Sequence, residues 1–529
     1  MNIQRAKEEI KDAIEAYFLK DEYGEYVIPT MRQRPIFLIG APGIGKTQIM
    51  EQIARECGVG LVSYTITHHT RQSAIGLPFI SKESFGGKEY TVTEYTMSEI
   101  VASIYQKMEA TGLKEGILFI DEINCVSETL APAMLQFLQC KSFGNHQIPQ
   151  GWLIVAAGNP PEYNRSVREF DVVTMDRVKK IEVEPDFEAW KNYAYRAHIH
   201  PAVISYLNAK PLHFYKMETT VDGKFFATPR GWEDLSRLIE VYEKLNKTVD
   251  REVIIQYIQH PKISKDFANY LELYYKYQAD YQIEEIFAGN IPDILLKKIA
   301  HASFDEKLSV ISLLLAKCSN QFKQYCDLES YMTMLHPQLV LAKECLLGAQ
   351  SGQPVVFLED LLQRISVEKE QKQTAELLTA AQKHYYLKIE SFLEDCIRDS
   401  KDQLVENGAS AFAIIKEHFG TERQKFQDAR STAGLYLERA FDFLEAAFGS
   451  SQEIVTFITE LNTNYYSVHF LQNYECERYY QYNQKLLFEE QNQELMKKIN
   501  MLLSGRTRGV LCPFFEPGQR TPLVLSTIP

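Results

Sequence analysis

The sequence has no run of eighteen apolar residues and no signal-peptide pattern. A membrane-spanning helix and a secreted chain are therefore not expected, and a cytoplasmic protein is. Cysteine is sparse: nine residues, scattered, never in C-x-x-C spacing. That leaves reduced thiols rather than a disulfide framework or a zinc site. An excess of positive charge is also missing. The formal net charge is −13, which argues against a whole-surface role on nucleic acid, though a local basic stripe remains compatible with it.

What is present describes a globular chain. Of the 529 residues 45% are hydrophobic and 24% charged, and the length calls for two to four domains. The N-terminal "MNIQRAKEEIKDAIEAYF" places Ile3, Ala6, Ile10, Ile14 and Phe18 on one stripe, which predicts an amphipathic helix.

The stretch "ILFIDEIN", Ile117 to Asn124, runs four apolar residues into two adjacent carboxylates. Burying an unpaired carboxylate is costly, so a buried strand ending in Asp121 and Glu122 needs either exposure or a cation. Upstream, "PIFLIG" is followed by Gly40, Ala41, Pro42, Gly43, Ile44, Gly45, Lys46 and Thr47, which fits G-x-x-x-x-G-K-[ST]. "TQIMEQIAREC" continues from it with helical spacing. Strand, glycine-rich loop and helix is the context a phosphate-binding loop requires. Its glycines let backbone N–H groups curl around phosphate oxygens, and the helix N-terminus adds partial positive charge. Gln48 belongs to the first turn of that helix. Lys46 is expected to reach the β- and γ-phosphates and Thr47 to ligate Mg²⁺. With a phosphate loop present, Asp121 fits the second Mg²⁺-holding residue, and Glu122 fits a general base that activates water.

A third apolar run, "GWLIVAAGNPPEYN", ends at Asn159. Asn and Pro are ordinary turn residues, but after the Asp-Glu strand Asn159 fits a polar group touching the γ-phosphate or the water. Arg177, in "MDRVKKIEV", stands before a fourth apolar strand, and Arg230, in "ATPRGWEDL", opens an amphipathic helix. Taken singly, such arginines are ordinarily solvated.

In this order and spacing, "GAPGIGKT", "DEIN", "GNPPEYN", "MDRV" and "ATPRGWEDL" resemble the MoxR branch of the AAA+ ATPases and its dynein-related neighbours, over roughly residues 30 to 260. The resemblance implies an αβα P-loop sandwich with a parallel sheet and a helical lid. It also implies ATP with Mg²⁺ and a homo-oligomeric ring, expected as a hexamer. By it, Asn159 corresponds to sensor 1, Arg177 to the arginine finger and Arg230 to sensor 2. Arg168, also after the sensor strand, is the alternative finger. The family's Arg-Phe at the finger is Arg177-Val178 here.

Two hairpin signals, around Gly86-Gly87 and Gly144-Asn145, fall where this branch inserts β-hairpins that face a central pore, although either could be an ordinary surface hairpin. Phe79, Phe85, Tyr90 and Phe143 lie on or near them.

The expected organisation is a nucleotide-binding domain at 1–184, a helical lid at 185–261, a helical region at 262–503 and a flexible tail at 504–529. In the helical region Tyr386, Ile389, Leu393, Cys396 and Ile397 show helical patterning, with Asn407-Gly408 as a stop and Ser450 to Glu453 as a start. The tyrosine-rich "YLELYYKYQADY" and "ERYYQYNQ" read as helix packing rather than base stacking, and a long final helix is expected over "NQKLLFEEQNQELMKKINMLL". The resemblance implies remodelling of a protein client and a partner carrying a von Willebrand factor A domain. The alternatives are a nucleic-acid-directed motor, a GTP-driven restriction-type subunit, or a magnesium-chelatase-like role.

Overall fold

The structure is a computed structural model that describes residues 1–68, 70–143, 146–163, 167, 170–221, 223–348, 353–449 and 451–486. Arg168, the tip of the hairpin at 144–145, most of the expected last helix and the tail lie outside the described residues.

The first part of the chain alternates helices and strands. Helix α1 (Ile3–Phe18) precedes β1 (Ile36–Gly40), α2 (Lys46–Cys57), β2 (Gly60–Thr65) and the short α3 (Arg71–Ile75). Next come β3 (Pro78–Phe85), β4 (Lys88–Tyr95), α4 (Glu99–Thr111), β5 (Gly116–Asp121) and α5 (Ala131–Cys140). The part closes with β6 (Ser142–Phe143), β7 (His146–Gln147), β8 (Trp152–Gly158), α6 (Val172–Met175) and β9 (Lys179–Val183).

Five strands form one parallel sheet in the order β2-β5-β8-β1-β9. Helices cover both faces, which is why the inner strands β5, β8 and β1 read as unbroken apolar runs, whereas the edge strands β2 and β9 carry polar residues. Along β5, Ile117 and Phe119 pack with α1 and α2, while Leu118 and Ile120 pack with α4 and α5. Helix α1 buries Ala6, Ile10, Ala13 and Ile14 on the first of those faces and is capped by Asn2, which accepts from the Arg5 N–H at 2.9 Å. The carboxyl ends of β1, β5 and β8 meet at one edge, with β8 between the other two, and ligands bind at such strand ends.

Strands β3 and β4 form an antiparallel hairpin through Gly86-Gly87, whose φ angles of 60° and 78° give the left-handed turn that glycine tolerates. It separates α3 from α4, and Phe79, Ile80, Phe85 and Tyr90 are exposed on it. Phe143 on β6 is instead buried, stacked on Phe137 of α5 with centroids 3.9 Å apart. It is a core residue.

Helices α7 (Phe187–Arg196), α8 (Pro201–Ala209), α9 (Pro229–Lys244) and α10 (Arg251–Tyr257) follow. Between α8 and α9 lies a hairpin absent from the sequence reading, β10 (Lys216–Thr220) with β11 (Gly223–Ala227). Among the described residues beyond α10 the elements are helices: α11 (Pro261–Asp280), α12 (Ile283–Ala288), α13 (Asp293–Ala300), α14 (Phe304–Leu347), α15 (Pro354–Thr374), α16 (Ala380–Asp402), α17 (Gly408–Phe448), α18 (Gln452–Thr463) and α19 (Tyr465–Asn473). Residues 477–486 are also helical.

The long helices α14 and α17 each serve two cores. Their halves nearer the lid join one core with α8, α9 and α11, so packing continues across residue 261 without a break. Their far halves pack with α15 and α16, where Tyr386, Ile389, Leu393, Cys396 and Ile397 are all buried. Asn407-Gly408 is a start rather than a stop. Asn407 caps α17 by accepting the Ser410 N–H at 2.8 Å, and Asn serves an N-cap as readily as a helix end. The tyrosines of α11 and its C-cap do pack: Tyr274 and the capping Tyr281 are buried and Tyr270 donates to Ser205 at 2.8 Å.

Candidate functional site

A cleft of about 730 Å³ lies between the sheet edge, α1 and the lid helices α7 and α9. Its floor is the loop from Pro42 to Thr47 with Gln48 beyond it, and Asp121, Glu122, Asn159 and Arg230 line it as well. That volume lies within the range of small-molecule sites.

The loop conformation depends on glycine at two points. Gly43 and Gly45 have φ of 76° and 93°, and a Cβ on Gly43 would also stand 3.3 Å from Thr228 at the start of α9. Arg230 N–H donates to the Gly43 carbonyl at 3.2 Å, so the lid helix rests directly on the loop.

Lys46 is buried beneath the loop. Its ammonium donates to the carbonyls of Gly40 and Ala41, both at 2.8 Å, and to Asn159 Oδ1 at 3.0 Å. Burial lowers its pKa to about 8, against the opposing pull of Asp121. Thr47 Oγ1 donates to Asp121 Oδ2 at 2.9 Å, and Glu122 N–H donates to Asp121 Oδ1 at 2.9 Å. A hydroxyl and a carboxylate in contact are the hard oxygen donors that Mg²⁺ takes alongside water and phosphate, so the residues present fit that ion.

Glu122 holds a left-handed backbone, φ 57° and ψ 33°, uncommon for a residue with a side chain. Its Oε2 accepts from Thr67 Oγ1 at 3.0 Å. Asn124 Nδ2 donates to the Asn159 carbonyl at 2.8 Å and ties the ends of β5 and β8 together.

Arg177 lies apart. It is exposed just before β9, outside the cleft, and its guanidinium donates to Gln139 of α5. The other expected site residues therefore gather in one place and Arg177 faces solvent.

Sequence reading missed Thr67, Thr228 and the lid wall, where Ala189, Trp190, Tyr193 and Arg196 of α7 meet the cleft. The end of β2, "SYTITH", carried a signal for Thr67: a polar residue where a strand of the same sheet stops. The lid residues look in sequence like one side of an amphipathic helix, and nothing local marks that side as a wall.

A parallel αβα sheet with a phosphate-type loop, a paired hydroxyl and carboxylate, and a lid defines a P-loop nucleotide-binding domain. Residues 36–174 match the family described as "ATPase family associated with various cellular activities (AAA)". The chain carries an AAA+ P-loop domain, followed by a mainly helical C-terminal region. No curated protein matches it. Among solved structures, a RuvB mutant from Thermotoga maritima aligns at 14% identity and a TM-score of 0.28, over 49% of this chain and 69% of that one.

Proposed function

We propose that the chain is a MoxR-like AAA+ ATPase that couples Mg²⁺-dependent ATP hydrolysis to remodelling of a protein partner, and that it works as a ring, expected as a hexamer. The carrying observation is the placement of the arginines. Arg230 lines the cleft with Lys46, Thr47, Asp121, Glu122 and Asn159, whereas Arg177 is exposed outside it, against Gln139. An exposed arginine gains a role in hydrolysis when it reaches the nucleotide of a second copy.

Each residue then has a task. Lys46 and the loop N–H groups bind phosphate, and Arg230 holds it from the lid side. Thr47 and Asp121 would hold Mg²⁺, which neutralises phosphate charge when bound. Glu122, oriented by Thr67, accepts the proton of the attacking water, and Asn159 positions that water or the terminal phosphate. Arg177 stabilises charge at the neighbour's site. A partner with a von Willebrand factor A domain belongs to this reading, and so does a cytoplasmic setting.

The test is capture of partners by the Glu122→Gln protein in ATP and Mg²⁺. Retention of a specific protein, lost in the Lys46→Ala variant, supports the reading. Stimulation of turnover by DNA of several-fold or more, with no protein retained, would favour a nucleic-acid motor.

A further inference from the structure

We infer that α18 and α19, in the C-terminal region, hold the lid wall of the nucleotide cleft in place, with Glu460 and Tyr465 as positioning residues that act through α7. The inference rests on the nucleotide-binding reading of the cleft.

Helix α7 has two working sides. Ala189, Tyr193 and Arg196 line the cleft. Lys191, Tyr195 and, just past the helix end, His198 meet α18 and α19. Within the helix, Lys191 and Tyr195 follow Ala189 and Tyr193 by two residues, roughly 200° around the axis, so these two pairs lie on opposite sides. Whatever fixes the second side fixes how the first is presented.

The second side is fixed by a buried charge pair. Lys191 Nζ donates to Glu460 Oε1 at 2.6 Å, with side-chain exposures of 5% and 11%, and the Tyr195 hydroxyl donates to Oε2 of the same carboxylate. Such a pair is weak evidence for stability, because desolvation offsets its attraction, but breaking it strands a buried charge. It therefore resists rotation of α7 about its axis. Beyond the pair, Tyr466 stacks on His198 with centroids 5.4 Å apart and a 3.2 Å hydrogen bond to its Nε2.

At the rim the two sides meet. Arg196 lines the cleft, and its guanidinium carbon lies 4.5 Å from the centroid of the Tyr465 ring. That contact restrains a long cationic side chain beside the space a nucleotide would fill. Two residues about 270 positions apart thus shape one wall, and the C-terminal region becomes part of the nucleotide site rather than an appendage to it.

Tyr465 is 43% exposed, so Tyr465→Ala is compatible with folding. ATP affinity of the full-length protein is read by calorimetry. An exposed cation–π contact sets the scale, so Tyr465→Ala should bind ATP about two- to fivefold more weakly. Tyr465→Phe keeps the ring and should match wild type. In an Arg196→Ala background, Tyr465→Ala should add nothing, because its effect passes through Arg196. Wild-type affinity in Tyr465→Ala, or an undiminished effect in the Arg196→Ala background, overturns the inference. Lys46→Ala separates the two failures. If it abolishes ATP binding while Tyr465→Ala binds normally, only the positioning role is wrong; if it too binds normally, the nucleotide reading falls.

Discussion

The ammonium of Lys46 and the side-chain oxygen of Asn159 are 3.0 Å apart, joining residues separated by 113 positions. This bond crosses from the phosphate loop to the end of the neighbouring strand β8. Together with two loop carbonyls it gives Lys46 the hydrogen-bond partners that a buried cation requires.

Those neutral partners do not cancel the cost of burying the charge, and Lys46 titrates at about 8. Below that pH it is charged in the free protein; above it, neutral. A bound polyphosphate favours the charged form and raises the pKa, so binding above pH 8 takes up protons, while binding near pH 6.5 takes up none at Lys46. Calorimetry at pH 8.5 in two buffers of different ionisation enthalpy should show net proton uptake. Lys46→Met should lose both the uptake and the binding.

Gly158 closes the same corner. A Cβ there would stand 2.5 Å from Asn124 Oδ1, the side chain that bonds the Asn159 carbonyl. Gly158→Ala should cost about 1–3 kcal/mol of stability by overpacking, measured by denaturant unfolding. It should also slow ATP turnover, because Asn159 shifts. An unchanged midpoint and rate would contradict the close packing of β5 against β8.

Much of this corner was legible in the sequence. The phosphate loop is a contiguous motif, its glycines demanded by a local conformation, and the inner strands β1, β5 and β8 are continuous apolar runs because both faces are covered. The parts that escaped carry weak local signals or depend on distant chain. The hairpin β10–β11 is short and half-exposed, so "KMETTVDGKFFA" shows little alternation. Asn407-Gly408 carries no direction of its own and was fixed by α17 beginning there. The role of α7 as a wall depends on Glu460 and Tyr465, which no spacing within α7 announces.

Arg177 gives the sharpest test of a shared site. An arginine finger is worth about 10³–10⁵ in turnover, so Arg177→Ala should bind ATP nearly as well as wild type and hydrolyse it very slowly. Mixed with Glu122→Gln, which keeps its own finger, it should recover part of the activity. A mixture that stays inactive while subunits exchange would rule out Arg177 acting between copies.

The central claim, that this cleft binds and hydrolyses Mg²⁺-bound ATP through Glu122, is tested most directly by measuring binding and turnover together in wild type and Glu122→Gln. Wild type should hydrolyse ATP only with Mg²⁺. Glu122→Gln should bind ATP with near wild-type affinity and turn it over about 10²–10⁴ times more slowly, the range for loss of a general base. Turnover at the wild-type rate in Glu122→Gln, or ATP binding to wild type without any hydrolysis under assembly conditions, would contradict the account.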